Sequence, residues 1–458
     1  MPNTRPLVAL AIVALLAGPA SAAESLLEIY QRALQNDPTI REAEAQYRAQ
    51  AEAKPQARAS LLPALSLGGT VSNQYSDTKG GVIVGGSVLG SRSVFDSDTH
   101  GWTVNLTQTI FDWGQYTTLR QADKRVLRAE TDYEAAKQAL LIRVATAYFN
   151  VLASKDALAS AVSAREAIAR QLEQAQRRFE VGLIAITDVQ QSQAGYDDSV
   201  AAEIQAQRVL ATSYEQLREI IGDMVTDVAA PTDQLPLLSP DPASPEQWVK
   251  TALSQNLALV STRIAAEVAD YDIQIQKGSR LPKVNLQASY STSMSDRLST
   301  LYQGTQPPFI QNIPQKPEGH SWQINMQFPL FTGGLNRSRI EQAVYTHRAA
   351  SEELERIARQ TERQTRDAYL GVISEISRVR ALKQSVESNR TALRATEAGF
   401  EVGTQTTVDV LTAQKNLSAA ETSYSQSRYS YILNVLTLKQ AAGNLSVTDV
   451  EQVDGWLH

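Results

Sequence analysis

The stretch Phe179-Glu180-Val181-Gly182-Leu183-Ile184-Ala185-Ile186-Thr187-Asp188-Val189 decides how this chain is read, because the chain says it twice. The second copy is Phe400-Glu401-Val402-Gly403-Thr404-Gln405-Thr406-Thr407-Val408-Asp409-Val410. Phe, Glu, Val, Gly, Asp and Val recur in register at one constant offset. In each copy a Gly stops a long helical pattern and an Asp follows its restart, the usual stop and start signals. Each copy therefore reads as the tip of a helical hairpin. Gly182 and Leu183 lie at one tip, Gly403 and Thr404 at the other.

Upstream of the first tip, residues 117–179 run without a single Pro or Gly. Leu140, Val144, Ala147, Tyr148, Val151 and Leu152 fall at three/four spacing, and an unbroken pattern of that length indicates a coiled coil or helical bundle. At about 1.5 Å per residue it spans roughly 95 Å. Downstream, residues 187–221 form a helix that ends at Gly222. Residues 27–58 read as a short helix and a longer one, broken at Asn36-Asp37-Pro38, since Pro is tolerated in a first turn. The two short helical stretches match the long one if they stack end to end beside it. A rod two helices wide has no core of its own, so it must pack on its twin and on other subunits.

Between these helices the period changes to two. Residues 65–75 and 100–111 alternate as strands, the second with Trp102, Val104, Leu106, Gln108 and Ile110 on one face. Residues 76–99, rich in Gly, Ser and Asp, read as a loop. Phe111 and Trp113 suit either a membrane interface or a hydrophobic hinge.

After a Pro-rich linker at 223–245 the programme repeats. A helix at 246–280 is followed by strands at 284–293 and 322–331, with a loop at 294–320 between them. Helices at 337–400 and 408–442 follow, and a tail at 444–458. Pro63/Pro282, Phe111/Phe331, Tyr148/Tyr369, Gly182/Gly403, Asp188/Asp409 and Gly222/Gly443 are offset by 219, 220, 221, 221, 221 and 221. The chain is thus an internal duplication of helix–strand–strand–helix–helix, with repeats at 23–222 and 246–443.

Composition narrows the function. Residues 1–22, with Arg5, an apolar run over 7–17 and Ala20-Ser21-Ala22, read as a signal peptide. Its removal takes one Arg from the 43 Lys and Arg, leaving 42 against 49 Asp and Glu, a net charge of −7. That balance argues against nucleic acid as a partner. There is no Cys, so neither a disulfide nor an acylated N-terminal Cys is available. No apolar run after residue 22 is long enough to span a membrane as a helix; that excludes a transmembrane helix but not a β-barrel. A strand of about 11 residues, tilted by about 45°, covers a hydrocarbon band of roughly 25 Å. Four strands cannot close such a barrel in lipid. Two chains would give a filled barrel of 8 strands, and three a barrel of 12 with an opening. Chemistry has little support. His100, His320, His347 and His458 lack paired ligand spacing, no G-x-S-x-G occurs, and Asp197-Asp198 and Glu352-Glu353 read as solvated helix faces. No cofactor or metal is expected.

Leu61-Leu62-Pro63, Gln108-Thr109-Ile110-Phe111-Asp112, residues 145–152 (ATAYFNVL) and residues 178–189 (RFEVGLIAITDV) resemble the TolC family of outer-membrane channel-tunnels across essentially the whole mature chain. The resemblance implies a homotrimer with a shared 12-stranded β-barrel in outer-membrane lipid and a periplasmic α-helical tunnel. It also implies a passive exit duct for type I secretion or multidrug efflux. The duct would be opened at its tips by a periplasmic adaptor and an inner-membrane transporter, ABC-type or proton-driven. Asp188 matches the family's tip acid. The Tyr that pairs with that acid falls on Phe400, the family's Arg falls on Gln405, and its Gln falls on Arg177. Asp409 matches the first of two acids lining the constriction, and the second position is Thr412. Asp188 and Asp409 also have a plainer reading, as acids stabilised by helix N-termini. A periplasmic structural or adaptor coiled coil is the competing function; it would not repeat two alternating strands with polar loops.

Overall fold

The computed structural model describes residues 23–231, 235–303 and 307–457; the expected signal peptide lies outside them. In chain order the elements are α1 (Leu26–Asn36), α2 (Pro38–Ala51), α3 (Ala53–Ala59), β1 (Ala64–Val84), β2 (Ser87–Phe111), α4 (Trp113–Glu180) and α5 (Ile186–Ile221). The second half supplies α6 (Pro245–Gln255), α7 (Leu257–Gly278), β3 (Lys283–Gln303), β4 (Phe309–Gln315), β5 (Glu318–Gln327), α8 (Leu335–Glu401), α9 (Thr407–Ala442) and α10 (Val447–Asp454). Two compact units are present, and each draws on both repeats. A helical unit comprises the described part of Met1–Tyr47 with Ala129–Thr262 and Glu353–His458; a sheet unit comprises Arg48–Arg128 and Arg263–Glu352.

The sheet unit is a set of antiparallel ladders in the order β1-β2-β3-β4, with β5 also paired to β3. Because β4 pairs Ser295–Leu301 and β5 pairs Lys283–Thr292, the two share one column, and the sheet is four columns wide. Register puts residue types on opposite faces. One face carries the rungs Leu65–Leu106–Ala288–Trp322 and Leu67–Val104–Tyr290–His320. Trp102 lies 5.3 Å from Tyr290 on that face. The other face carries Ser66–Asn105–Ser289–Ser321 and Gly68–Thr103–Ser291–Gly319. Ser289 and Ser321 hydroxyls meet at 2.9 Å there. The period of two thus makes an apolar wall and a wall of small polar groups from the same strands.

The strands are much longer than the alternation suggested. Residues 76–99, expected as a loop, continue β1 and β2 to a two-residue turn at Gly85-Gly86. Both turn glycines have φ above zero, 60° and 86°, as a tight hairpin needs. Residues 294–320, also expected as a loop, hold the rest of β3, all of β4 and the start of β5, and β5 ends at Gln327 rather than at 331. The ladder is made by backbone groups, so Ser, Asp and Gly at these positions do not interrupt it. Pro314 fits because β4 is an edge strand. At the strand-to-helix junction Asp112 is buried, accepts from Gly114 N–H at 2.8 Å and pairs with Lys283 at 3.0 Å. Trp113 begins α4 and packs on Gly278, Phe111 meets the ring of Tyr116 at 6.5 Å, and Phe111 and Trp113 both keep an exposed face.

In the helical unit, α1 starts with a capping box in which Ser25 and Glu28 serve each other's backbone N–H. Leu26, Ile29, Tyr30 and Ala33 bury one face. Asp37 separates α1 from α2, accepts from Thr39 and Ile40 N–H and pairs with Arg143. Pro38 opens α2, where its missing N–H costs nothing. The core gathers Leu26 and Ile29 of α1, Val144, Tyr148, Phe149 and Leu152 of α4, Leu217 and Ile221 of α5, Val372 of α8, and Ile432 and Leu436 of α9. The Tyr148 hydroxyl is satisfied by the carbonyls of Ala229, at 2.6 Å, and Glu24, at 3.2 Å. Residues 444–458, expected as a tail, contain α10. Asp454 of α10 accepts from Leu26 N–H at 2.9 Å, and Pro231 bridges Leu457. Val450 and Val453 join the core, so the C-terminal segment closes the start of α1.

Gly222 and Gly443 end α5 and α9 in the left-handed region, each at φ 81°. A methyl group at 222 would meet only Asn36 Cβ at 3.8 Å, whereas one at 443 would collide with the Gln255 carbonyl and sit 2.6 Å from Asn256 N. Gly222→Ala should therefore cost about 1–2 kcal/mol from conformation alone. Gly443→Ala should cost several kcal/mol. Thermal unfolding of the two variants side by side checks this: the midpoint should fall further for Gly443→Ala, and equal falls would contradict the close approach.

Candidate functional site

The two tips share one backbone solution. At the end of α4, Leu183 N–H donates to Arg178 O at 2.8 Å and Gly182 N–H to Phe179 O at 2.9 Å. At the end of α8, Thr404 N–H donates to Gly399 O at 2.8 Å and Gly403 N–H to Phe400 O at 3.2 Å. These are the paired bonds of a Schellman stop, with Gly182 and Gly403 in the left-handed position. The duplication thus extends to the hydrogen bonds, at the same offset as in sequence.

The restarts differ. Thr406 caps α9: its hydroxyl accepts from Asp409 N–H at 3.3 Å, and Asp409 accepts from Thr406 N–H at 2.8 Å and contacts the Thr406 hydroxyl at 2.7 Å. Ala185 caps α5 without a hydroxyl, so the Asp188 N–H turns to the Ala185 carbonyl at 3.1 Å, and of the side-chain bonds of the box only the return one exists, from Ala185 N–H to Asp188 at 3.3 Å. The Thr406 hydroxyl, and then its N–H, hold the Asp409 carboxyl below the usual carboxylate range. A folded-state value below the unfolded one means that the stabilisation is present above the unfolded value. It is lost only as pH falls through the depressed one. At neutral pH Asp409 is a full negative charge. It is exposed, as is Thr412 one turn further along α9, and such i,i+3 neighbours share a helix face.

The remaining sequence-derived residues have separate partners within the chain. Arg177 pairs with Glu173 of its own helix. Asp188 serves Ala185. Gln405 folds over Gly399, where an added Cβ would lie 2.6 Å from its Cγ. Phe400 is 6 % exposed, in a cluster with Val386, Leu393, Val410 and Leu417, while its counterpart Phe179 is 41 % exposed. Among the described residues no hydrogen bond or ion pair joins Arg177, Asp188, Phe400 and Gln405 to one another. Sequence reasoning passed over Arg178, whose guanidinium carbon lies 4.7 Å from the Phe400 ring centre. Val181, Leu183, Ile186, Val402 and Val408 surround the tips and are exposed.

Paired helical hairpins with matched tips, together with a sheet that is apolar on one face and finely polar on the other, define an outer-membrane channel-tunnel. The chain belongs to the outer membrane efflux protein family, whose model matches residues 29–223 and 248–444. It is 35 % identical over 440 residues to the outer membrane protein TolC of Vibrio cholerae serotype O1, covering 95 % of this chain and 94 % of that one. It is 28 % identical to the alkaline protease secretion protein AprF of Pseudomonas aeruginosa, covering 93 % of this chain and 86 % of that one. A solved membrane protein from Pseudomonas aeruginosa superposes with a TM-score of 0.74 at 18 % identity, covering 92 % of this chain and 91 % of that one. The family is one of transport proteins rather than enzymes.

A hydroxyl at 185 would complete the missing half of the first cap. Ala185→Ser should add about 0.5–1 kcal/mol at the start of α5. Amide hydrogen exchange at Asp188 should slow about two- to fivefold, and an unchanged rate would show that Ala185 does not act as the cap.

Proposed function

We propose that this chain forms a passive exit duct through the outer membrane of a Gram-negative cell, serving type I protein secretion, multidrug efflux or both. The observation that carries the reading is the four-column sheet. Its apolar face suits lipid, its Ser/Thr/Asn face suits a water-filled lumen, and its two outer edges are unpaired among the described residues. Lipid does not tolerate unpaired edges, and three copies close them into a barrel of about 12 strands wide enough to conduct. The duct works as a homotrimer with a periplasmic adaptor and an inner-membrane transporter that supplies the energy. It performs no chemistry of its own. The two sequence repeats, 23–222 and 246–443, each contribute two of the four columns and one hairpin.

The hairpin tips are the periplasmic entrance. Arg177, Asp188, Phe400 and Gln405 form its closing region. Gly182, Leu183, Gly403 and Thr404 are the surface the adaptor meets, which accords with the exposed apolar side chains around them. Asp409 supplies the acid of the constriction. Three copies give three carboxylates rather than six, because Thr412 holds the second position. Crowded like charges in a narrow pore favour cations and retain multivalent ones.

Deleting the gene tests the function. The strain should lose at least one secreted protein or become more susceptible to drugs, and a strain with secretome and susceptibility both unchanged would refute the exit-duct reading. Asp409→Ala tests the constriction: in planar bilayers its reversal potential in a salt gradient should move towards zero, and block by trivalent cations should weaken. If neither changes, Asp409 does not line the pore.

A further inference from the structure

We infer that Arg178 is a closing residue of the entrance, clamping the end of α8 to the end of α4 within one subunit through the ring and the carbonyl of Phe400. The inference rests on the gate reading above and adds to it a residue that the resemblance covers, as the first of the 178–189 stretch, but gives no role.

The geometry is specific. The Arg178 guanidinium carbon lies 4.7 Å from the centre of the Phe400 ring, within the range of a cation–π contact. Its Nη1 donates to Phe400 O at 3.3 Å. That carbonyl belongs to the last turn of α8, where the helix presents partial negative charge. The last turn of α8 has no basic residue of its own, whereas the last turn of α4 has two, Arg177 and Arg178. Arg177 is engaged by Glu173. Arg178 therefore supplies to α8, from the other hairpin, the cation that α8 lacks.

The clamp has a direction. At the offset that relates the two tips, Arg178 corresponds to Gly399 and Phe400 to Phe179. No reciprocal pair can form, because Gly399 has no side chain, and Phe179 stays exposed. The ring of Phe400 is set among Val386, Leu393, Val410 and Leu417 of α8 and α9. A pull on Arg178 is thus transmitted to the apolar seam of the second hairpin rather than to a loose side chain. The clamp is released when the guanidinium is displaced from the ring and the carbonyl of Phe400. It also gives Phe400 a closing role that needs no hydroxyl.

The test measures spontaneous conductance of the purified trimer in planar bilayers. Arg178→Gln and Phe400→Leu should each raise it about two- to fivefold. The double variant should rise no further than either single one, and Arg178→Lys should lie between wild type and Arg178→Gln. Phenylalanines of increasing fluorination at 400 keep the ring's shape and drain its electron density, so conductance should climb stepwise along the series. Additive single effects or a flat fluorination series would overturn the clamp. Heat-modifiable migration confirms trimers, and if Arg178→Gln does not assemble the fluorinated series decides alone. Asp188→Ala separates the two levels. If it opens the pore while Arg178→Gln does not, the clamp fails and the gate reading stands. If neither opens it, both fail.

Discussion

The backbone at the two edges of the sheet is the constraint on which the rest depends. β1 ends the sheet on one side and the β4–β5 column ends it on the other. Each edge leaves a row of N–H and C=O groups that water can serve and hydrocarbon cannot. A single copy therefore has no acceptable state inside a membrane. Three copies do, because each edge then finds the opposite edge of a neighbour. With no Cys anywhere in the sequence, no covalent staple substitutes for this closure. Stability and oligomerisation are one quantity in such a chain, since whatever binds only the assembled state stabilises it by mass action.

The same constraint explains the side-chain content of the strands. Once backbone pairing is compulsory, side chains need only match their surroundings on each face. Leu65, Leu67, Trp102 and Trp322 face one way, and Ser66, Asn105, Ser289 and Ser321 the other. Beyond the apolar rungs β1 and β2 carry Asp77, Asp96, Asp98 and Arg92, and the Arg92–Asp77 pair at 2.8 Å sits on the ladder without disturbing it. The hairpin continues far past the apolar rungs because nothing in the ladder asks for apolar residues.

This is also why some elements were legible in the sequence and others were not. The helix ends at the tips and at Gly222 and Gly443 were legible because caps are local, but the break at Asn256 that divides the helix expected over 246–280 into α6 and α7 was not. Gly222 and Gly443 stop helices at the positions the pattern indicated, and the Thr406–Asp409 box starts α9. Strand ends were not, because Ser, Gly and Asp signal turns only when no neighbouring strand holds their backbone. Residues 76–99 and 294–303 are held by such neighbours. The C-terminal helix α10 was missed because eight residues give too short a period to read. At the tips, the Gly and Asp framework was legible from repetition alone. The contact between Arg178 and Phe400 was not, since the residues are 222 apart and neither a charge pair nor a period announces an arginine over a ring. The one available hint was a missing feature, the absence of a basic residue in the last turn of α8.

Duplication normally implies equivalent halves, and the tips argue against that for side chains. The stops share their two Schellman bonds, as one hairpin turn used twice requires, although the second adds Gln405 N–H to Gly399 O at 3.3 Å and the Thr404 hydroxyl to the same carbonyl at 3.1 Å. The restarts have diverged: one carries a full capping box and the other only half of it. The ends of the long helices have diverged further, with Phe400 buried under Arg178 while Phe179 is exposed. The two hairpins of one subunit are therefore unlike: the second starts α9 from a full capping box, the first starts α5 from half of one, and Arg178 of the first is held on the ring and carbonyl of Phe400 of the second.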